Sequence, residues 1–187
     1  MRAPRILMGG LLAVMALVTS VSATTVVRMK LPDLVERSAV IVEGQVLSTK
    51  AVHDARGLIV TEVTVSVDSG LKGVGSGQRF VFTTPGGELG GRRMVVPGMP
   101  SYESGDEVFL FLTAPSKRGW RMPVGLSQGS FRIRRNPATG ARMLDRDLTG
   151  LELVDAKTGK AVSRPERRGV AYESLVGQVT ALLEEQR

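Results

Sequence analysis

VTVSVD, at residues 63–68, is the stretch of the chain that decides the fold. Valines alternate here one by one with a threonine, a serine and an aspartate. Successive side chains of a β-strand point to opposite faces, so this alternation puts the valines on one face and the polar groups on the other. The stretch therefore predicts a β-strand that is buried on one side.

Similar patterns lie on both sides of this stretch. Residues 40–47 alternate in the same way, and the polar residues 53–57 form a turn between the two strands. Residues 108–112, VFLFL, are apolar throughout, which is typical of a strand buried on both faces. Further strands are predicted at residues 79–84, 121–125, 130–135 and 141–144, and in a last hairpin that pairs 151–154 with 160–163. This order predicts a mainly β, antiparallel fold.

Helices are predicted at the two ends of this β region. Near its N-terminal end, Pro32 suits the first turn of a short helix and Asp33 suits the positive end of that helix. Near its C-terminal end, apolar residues recur at spacings of three and four, which predicts an amphipathic helix over residues 165–186. Ser163 and Glu166 fit a capping box before this helix. Its apolar stripe is expected to pack on the strands.

The N-terminal segment is typical of a cleaved signal peptide, residues 1–23. Arg2 and Arg5 precede an uncharged apolar run, which is followed by small residues that end at Ala23. The run is too short to cross a bilayer as a helix. We therefore expect an exported protein, periplasmic or secreted, that does not span the membrane after cleavage and forms one domain, residues 24–187.

Composition limits the classes of partner. The chain has no cysteine, so the exported domain must be stabilised by its core rather than by disulfides. Its net charge of +7 is a mild bias towards anionic partners, and its aromatic content of 4% does not favour nucleic acid. The expected partner is an envelope or extracellular protein or an anionic polymer.

A glycine- and proline-rich segment, residues 85–105, separates two predicted strands. It lacks the lysine and the hydroxyl residue of a phosphate-binding Walker loop, and Glu88 would repel a phosphate. Long structured loops often carry function. The segment is therefore predicted to be a contact loop, with the candidate contact residues Glu88, Arg92, Arg93, Met99 and Tyr102.

A G-x-S-x-G motif at residues 125–129 raises the hypothesis of a serine hydrolase. That motif acts where a strand turns into a helix, and the histidine of such enzymes follows the serine along the chain. Here the next residues alternate as a strand, and His53, the only histidine, precedes Ser127. The hydrolase is the least favoured hypothesis, and no catalytic residue is predicted.

No metal or cofactor site is predicted. Residues 145–150, DRDLTG, begin like a calcium loop, but Ala156 stands where such a loop needs its glutamate. His53 has no second histidine or cysteine with which to share a zinc ion.

Arginines are frequent in the predicted strands between residues 132 and 146. Arg132 and Arg134 alternate with apolar neighbours and therefore point outward. This surface is either an anion-binding face or a solvated strand face. The sequence leaves open whether this surface or the long loop is the contact surface.

Four short motifs occur in the order SAVIVEGQV at 38–46, LKG at 71–73, FVFTTP at 80–85 and GDEVFLF at 105–111. This series resembles the netrin-like module, the OB-type barrel of the tissue inhibitors of metalloproteinases. It also resembles the arrangement in exported bacterial proteins for which the family implies no activity. The resemblance implies an antiparallel OB-type β-barrel with a short N-terminal helix and a C-terminal helix packed on it.

The features that give those inhibitors their activity are missing. In the family, an N-terminal cysteine binds the zinc of the protease, whereas this chain would begin at Thr24 and has no cysteine. The fold therefore carries over and the inhibitory mechanism does not. The expected function is an exported, non-enzymatic binding or protein-interaction module. A protease inhibitor acting through its N-terminus or the loop 85–105 is the alternative, and a serine hydrolase using Ser127 is the second.

Overall fold

The computed structural model describes residues 23–163 and 169–186. The predicted signal peptide, apart from Ala23, and the predicted capping residue Glu166 lie outside these ranges. In chain order the elements are β1 (Thr24–Val27), α1 (Leu31–Arg37), β2 (Val40–His53), β3 (Ile59–Lys72), β4 (Arg79–Pro85), β5 (Gly87–Leu89), β6 (Arg92–Met94), β7 (Glu107–Leu112), a 3₁₀ helix (Leu126–Gly129), β8 (Ser130–Arg135), β9 (Arg142–Asp145), β10 (Leu151–Val154), β11 (Val170–Ala171) and α2 (Tyr172–Glu184).

Seven strands form one antiparallel sheet in the order β11-β9-β8-β7-β2-β3-β4. In addition, β1 pairs with β10 in parallel, and β5 and β6 form a two-stranded ribbon. In β3, Val63, Val65 and Val67 are buried while the residues between them are more exposed, which confirms the strand predicted from VTVSVD. The prediction of a mainly β, antiparallel fold is also confirmed.

The sheet has an apolar core on each face, and β7 contributes to both. Phe109 and Phe111 pack with the helices α1 and α2 on one face. Val108, Leu110 and Leu112 pack with the valines of β2 and β3 on the other face. All of these β7 side chains are fully buried, so the expectation that the apolar run is covered on both sides is confirmed.

Helix α2 covers the first of these faces. Its residues Leu175 and Val179 are buried in the core that contains Phe109, so the predicted amphipathic helix is present. It begins at Tyr172 rather than at residue 165, and the two residues before it pair with β9 as β11. Among the described residues, no helix is both long and apolar enough to cross a membrane.

Two predicted strand segments differ in the structure. Within the described residues, 121–125 make only an isolated bridge, between Leu112 and Pro123, because proline lacks the N–H that a continuing ladder needs. Gly125 then takes a left-handed φ of 65° and leads into the 3₁₀ helix. In the predicted C-terminal hairpin, residues 151–154 form a strand, while the return segment makes a single bridge.

The two ends of the large sheet are not joined by strand pairing. In the described part of the chain β4 pairs only with β3, so no closed barrel is formed there. Between β4 and β8 lies Tyr102, whose ring meets Phe82 of β4 edge to face, with 5.4 Å between the ring centroids. The Tyr102 hydroxyl donates a hydrogen bond of 3.0 Å to Ser130 Oγ at the start of β8. A side chain of the long loop thus bridges the two strands.

Candidate functional site

The long loop, residues 85–105, starts by folding back over the end of the β2–β3 hairpin. Gly86 and Gly87 have φ angles of 104° and 134°, which side chains rarely permit. Gly86 N donates to Ile59 O at 3.0 Å, and Thr61 Oγ1 donates to Gly86 O at 2.8 Å. A Cβ on Gly87 would lie 2.7 Å from Thr61 Oγ1. The two glycines therefore serve the turn and the close approach of two chain segments.

The ribbon that follows carries three of the predicted contact residues. Its turn consists of Gly90 and Gly91, with φ angles of 58° and 74°, the positive values that a tight two-residue hairpin of type I′ requires. Glu88 lies opposite Arg93 in the register, and Arg92 is next to it. No hydrogen bond or ion pair joins these three side chains to any residue of the described ranges. Their charges are therefore exposed and available.

The second half of the long loop is pinned at Gly98. Its carbonyl oxygen accepts hydrogen bonds from Ser127 N at 3.0 Å and from Ser127 Oγ at 2.5 Å. A Cβ at Gly98 would lie 2.0 Å from Leu151 Cδ2, and the φ angle of Gly98 is 80°, so a larger residue would strain the backbone and displace the buried Leu151 side chain. The neighbouring Pro97 O accepts a hydrogen bond of 2.9 Å from Thr24 Oγ1. This part of the loop is consequently a fixed frame.

Tyr102 is a second fixed point of the long loop. It is 9% exposed, and burial raises the pKa of its hydroxyl above the usual range of tyrosine. Its contacts with Phe82 and Ser130 hold the loop between β4 and β8. Predicted as a contact residue, Tyr102 supports the frame and presents little surface of its own.

One groove collects most of the predicted contact residues. It has a volume of about 600 Å³ and lies between the β5–β6 ribbon, the ends of β2, β3 and β4, and the second half of the long loop. Its lining contains Glu88, Arg93, Met99 and Tyr102, and Arg92 lies beside it on the ribbon. We call it the loop groove. The other lining residues are Thr49, Ala51, Thr61, Thr84, Pro85, Gly86, Gly87, Met94, Val95, Val96, Pro100 and Ser101.

The floor of the loop groove is made of small side chains. Ala51, Thr61 and Thr84 are neighbours in the register of β2, β3 and β4. Thr84 is only 4% exposed, yet neither its hydroxyl nor that of Thr49 makes a hydrogen bond with another described residue. Thr49 is exposed, and each of the two hydroxyls can both donate and accept a hydrogen bond. The floor therefore offers unused hydrogen-bonding groups to a ligand.

One wall of the loop groove is apolar. Met94, Val95, Val96 and Met99 follow one another along it. Val95 is 65% exposed, the largest value among the exposed large hydrophobic side chains of the described residues. Methionine side chains adapt their shape to different apolar partners. An exposed apolar wall on a fixed frame is typical of a binding surface.

Ser127 lies inside the protein rather than on a catalytic elbow. It is 3% exposed in the 3₁₀ helix, and its hydroxyl is used to hold Gly98. The chain continues from this helix into the antiparallel strand β8, whereas a nucleophile elbow leads from a strand into a helix. His53 is exposed at the end of β2.

The residues of the calcium-like turn are used locally. Asp145 forms an ion pair with Arg134 at 3.6 Å, and Asp147 Oδ1 accepts a hydrogen bond of 2.9 Å from Thr149 N. Across the described residues, no group of three or more histidine, cysteine, aspartate or glutamate side chains could hold a metal ion.

The arginines of the second candidate surface are largely engaged within the protein. Arg132 pairs with Asp106 at 3.2 Å. Arg146 lies over the Phe131 ring, at 5.2 Å from its centroid, and its pKa is lowered by burial and then by the charge of Arg28. Of the two candidate surfaces, the loop groove has the more available charges.

Glu43, Arg142 and Tyr172 form a network that the sequence did not reveal. Glu43 is buried in β2, accepts a hydrogen bond from the Tyr172 hydroxyl and lies 2.9 Å from Arg142 Nη1. The Arg142 guanidinium stacks 3.5 Å from the centroid of the Tyr172 ring and also reaches Glu173 at 3.1 Å. The one available sequence signal was that Glu43 directly follows the apolar run Val40-Ile41-Val42 in a predicted strand, where a buried carboxylate requires a partner. The network attaches α2 to the sheet.

Comparisons of the chain with protein-family models, with curated proteins and with solved structures find no match. The netrin-like resemblance therefore stays a prediction from sequence motifs.

Proposed function

We propose that this protein is an exported, non-enzymatic binding module that holds part of an envelope or extracellular protein in the loop groove. The observation that carries this proposal is the convergence of Glu88, Arg93 and Met99, chosen from sequence, on a groove with an exposed apolar wall. Such a wall beside unpaired arginines has the composition of an interaction surface, in which methionine and arginine are enriched.

The frame of the groove favours binding because it is already fixed. Gly98 is held by Ser127, and Tyr102 is held by Phe82 and Ser130. A loop that is ordered before the partner arrives loses less conformational entropy on association. The use of the Ser127 hydroxyl in this frame also counts against the hydrolase hypothesis.

The proposed fold is an OB-type barrel whose seam is filled by the long loop. The strand order β4-β3-β2-β7-β8 would close into a barrel if β4 met β8, and Tyr102 occupies this position. This interpretation accounts for a large antiparallel sheet that has a core on both faces of β7. It agrees with the netrin-like series of motifs.

The hypothesis of a protease inhibitor that acts through its N-terminus is less favoured. Thr24 N donates to Gly150 O at 2.8 Å, and the strand Thr24–Val27 pairs along its whole length with β10. A chain that begins at Thr24 would therefore have its first residues held in a strand, whereas the inhibitors insert theirs into a protease.

Site-specific crosslinking tests the proposed function. A photoreactive amino acid replaces Val95 in the groove wall, and a matched variant carries it at Val170, which is 42% exposed on β11, at the opposite end of the sheet from β4 and outside the groove. In cells that export the protein, illumination should attach the Val95 variant to one dominant partner and leave the Val170 variant without it. The same products from both positions, or none from Val95, would contradict the proposal.

A further inference from the structure

Apolar side chains, unpaired cations and free hydroxyls meet in the loop groove, and together they select a kind of ligand. Resting on the function proposed above, we infer that the loop groove takes up an extended peptide segment of the partner, in which an acidic residue stands next to apolar residues.

The charges of the β5–β6 ribbon are the reason to expect an acidic residue in the peptide. Arg92 and Arg93 have no carboxylate within ion-pairing distance among the described residues, and Glu88 lies opposite Arg93 without forming an ion pair. By contrast, Arg132 and Arg142 each have a carboxylate at 3.2 Å or less. The rim of the groove is therefore net positive. A guanidinium group binds a carboxylate with two parallel, charge-assisted hydrogen bonds.

The apolar wall of the loop groove is the reason to expect apolar residues in the peptide. Val95 is 65% exposed, and Met94 and Met99 flank it. Leaving such a surface in water is unfavourable, at about 25 cal/mol for each Å² of apolar area. Because methionines adapt to different shapes, the wall accepts apolar side chains as a class rather than one residue type. A groove of about 600 Å³ has the size of ordinary ligand sites, which are roughly 300–1,000 Å³.

The floor of the groove and the neighbouring edge strand β4 are the reasons to expect that the peptide binds with an extended backbone. A peptide carries alternating N–H and C=O groups, and the free hydroxyls of Thr49 and Thr84 can pair with either kind. β4 ends at the groove and is the last strand of the sheet. Within the described residues, no backbone hydrogen bond outside the β3–β4 ladder reaches residues 79–84. Strand addition to such an edge is a common way of binding extended peptides.

A peptide fits the lining better than an anionic polysaccharide does. Anionic polysaccharides are bound mainly through clusters of lysine and arginine, whereas the lining of the groove contains one arginine, Arg93, beside its apolar wall. A polysaccharide would satisfy the arginines and leave the wall of Met94, Val95 and Val96 uncovered. We therefore infer a peptide ligand, and the test includes polysaccharide binding as a competing outcome.

The test uses purified exported protein and short, fluorescently labelled synthetic peptides. Each peptide has leucine and valine on both sides of a central residue, which is glutamate, glutamine or lysine. Fluorescence anisotropy should give an affinity for the glutamate peptide roughly tenfold higher than for the lysine peptide, since the sign of one rim contact is reversed. Val95→Asn should weaken the binding of the glutamate and glutamine peptides alike, because it places an uncharged polar amide in the apolar wall.

A charge reversal makes the test specific. Arg93→Glu should reverse the preference, so that the lysine peptide binds more tightly than the glutamate peptide. Arg135→Glu is the matched control: it reverses an exposed arginine outside the groove and should leave the preference unchanged. Equal binding of the three peptides, no binding of any peptide, or equal effects of the two substitutions would overturn the inference. Binding of dextran sulfate that is insensitive to Val95→Asn, in place of peptide binding, would also overturn it.

The two proposals fail in different ways. If Val95 crosslinks to a partner protein while the peptides show no preference for glutamate, the binding function stands and the peptide inference is wrong. If Val95 crosslinks to nothing and no peptide binds, both are wrong.

Discussion

At the residue scale, the two tyrosines of the chain both use their hydroxyl groups inside the protein. Tyr102 donates to Ser130 between β4 and β8, and Tyr172 donates to Glu43 beneath α2. Burial raises the pKa of both phenols, and for Tyr172 burial and the hydrogen bond to Glu43 raise it to about 12. A pKa that is higher in the folded state means that the neutral phenol stabilises the fold. This contribution is complete below pH 10 and is lost as the pH rises towards the folded value.

We therefore expect the folded protein to contain little tyrosinate at pH 10, where an unfolded chain is half ionised. The ultraviolet absorbance of tyrosinate, followed against pH in native and denaturing buffer, measures this directly. The free energy of unfolding should also fall between pH 10 and about 12, and Tyr172→Phe should make that fall shallower. A native protein whose two phenols titrate near pH 10 would show that neither hydroxyl is protected.

At the scale of elements, the long loop depends on glycines for two different reasons. Gly98 combines a φ of 80° with a site where a Cβ would be 2.0 Å from Leu151 Cδ2. Gly90, in the ribbon turn, has a φ of 58° and nothing within 4 Å of the added Cβ. Gly98→Ala should lower the free energy of unfolding by about 3 kcal/mol, from backbone strain and overpacking together.

The matched substitution Gly90→Ala introduces only backbone strain, so it should cost about 1 kcal/mol. Chemical denaturation of the two variants gives both values. If they lose the same stability, the loop is not pinned at Gly98 and the groove does not have a fixed frame there.

Helix α2 is the other element whose contacts can be tested. Leu175 is 5% exposed in the core on the helical face of the sheet, while Thr180 is exposed on the opposite side of the same helix. Leu175→Ala should cost about 2–5 kcal/mol through lost apolar contacts and the cavity that remains. Thr180→Ala should change the free energy of unfolding by less than about 0.5 kcal/mol. Equal stabilities in urea denaturation would mean that α2 does not belong to the core.

At the scale of the whole molecule, local patterns predicted the elements better than their contacts. The valines of 63–68 and the apolar run 108–112 define strands because their periodicity is a property of neighbouring residues. A strand was predicted at 121–125, but Pro123, which lacks an N–H, and Gly125, which has a left-handed φ, end the strand pairing there. Tyr102 was predicted as a contact residue from its place in the long loop, and nothing near it in sequence reveals its contacts with Phe82 and Ser130, which are distant in the chain.

The candidate site was predictable only in part for the same reason. Glu88, Arg93 and Met99 belong to one loop, so composition could identify them. The floor residues Thr49 and Thr84 come from β2 and β4, and only the folded sheet places them beside that loop. Sequence patterns report which residues are near in the chain, whereas a groove is made by contacts between distant segments.

Export is a property of the whole chain, and the position of Ala23 makes it testable. Ala23 is exposed and stands immediately before β1, so a cut after it would leave the β1–β10 pairing and the hydrogen bond from Thr24 N to Gly150 O intact. We expect exported protein to begin at Thr24, as N-terminal sequencing would show. Ala23→Phe should block processing and hold the chain at the membrane, because signal peptidase needs a small residue at this position, whereas Ala23→Gly should be processed normally. A product that begins inside 24–27 would have lost part of β1, and one that begins at Met1 would show that the segment is not a cleaved signal.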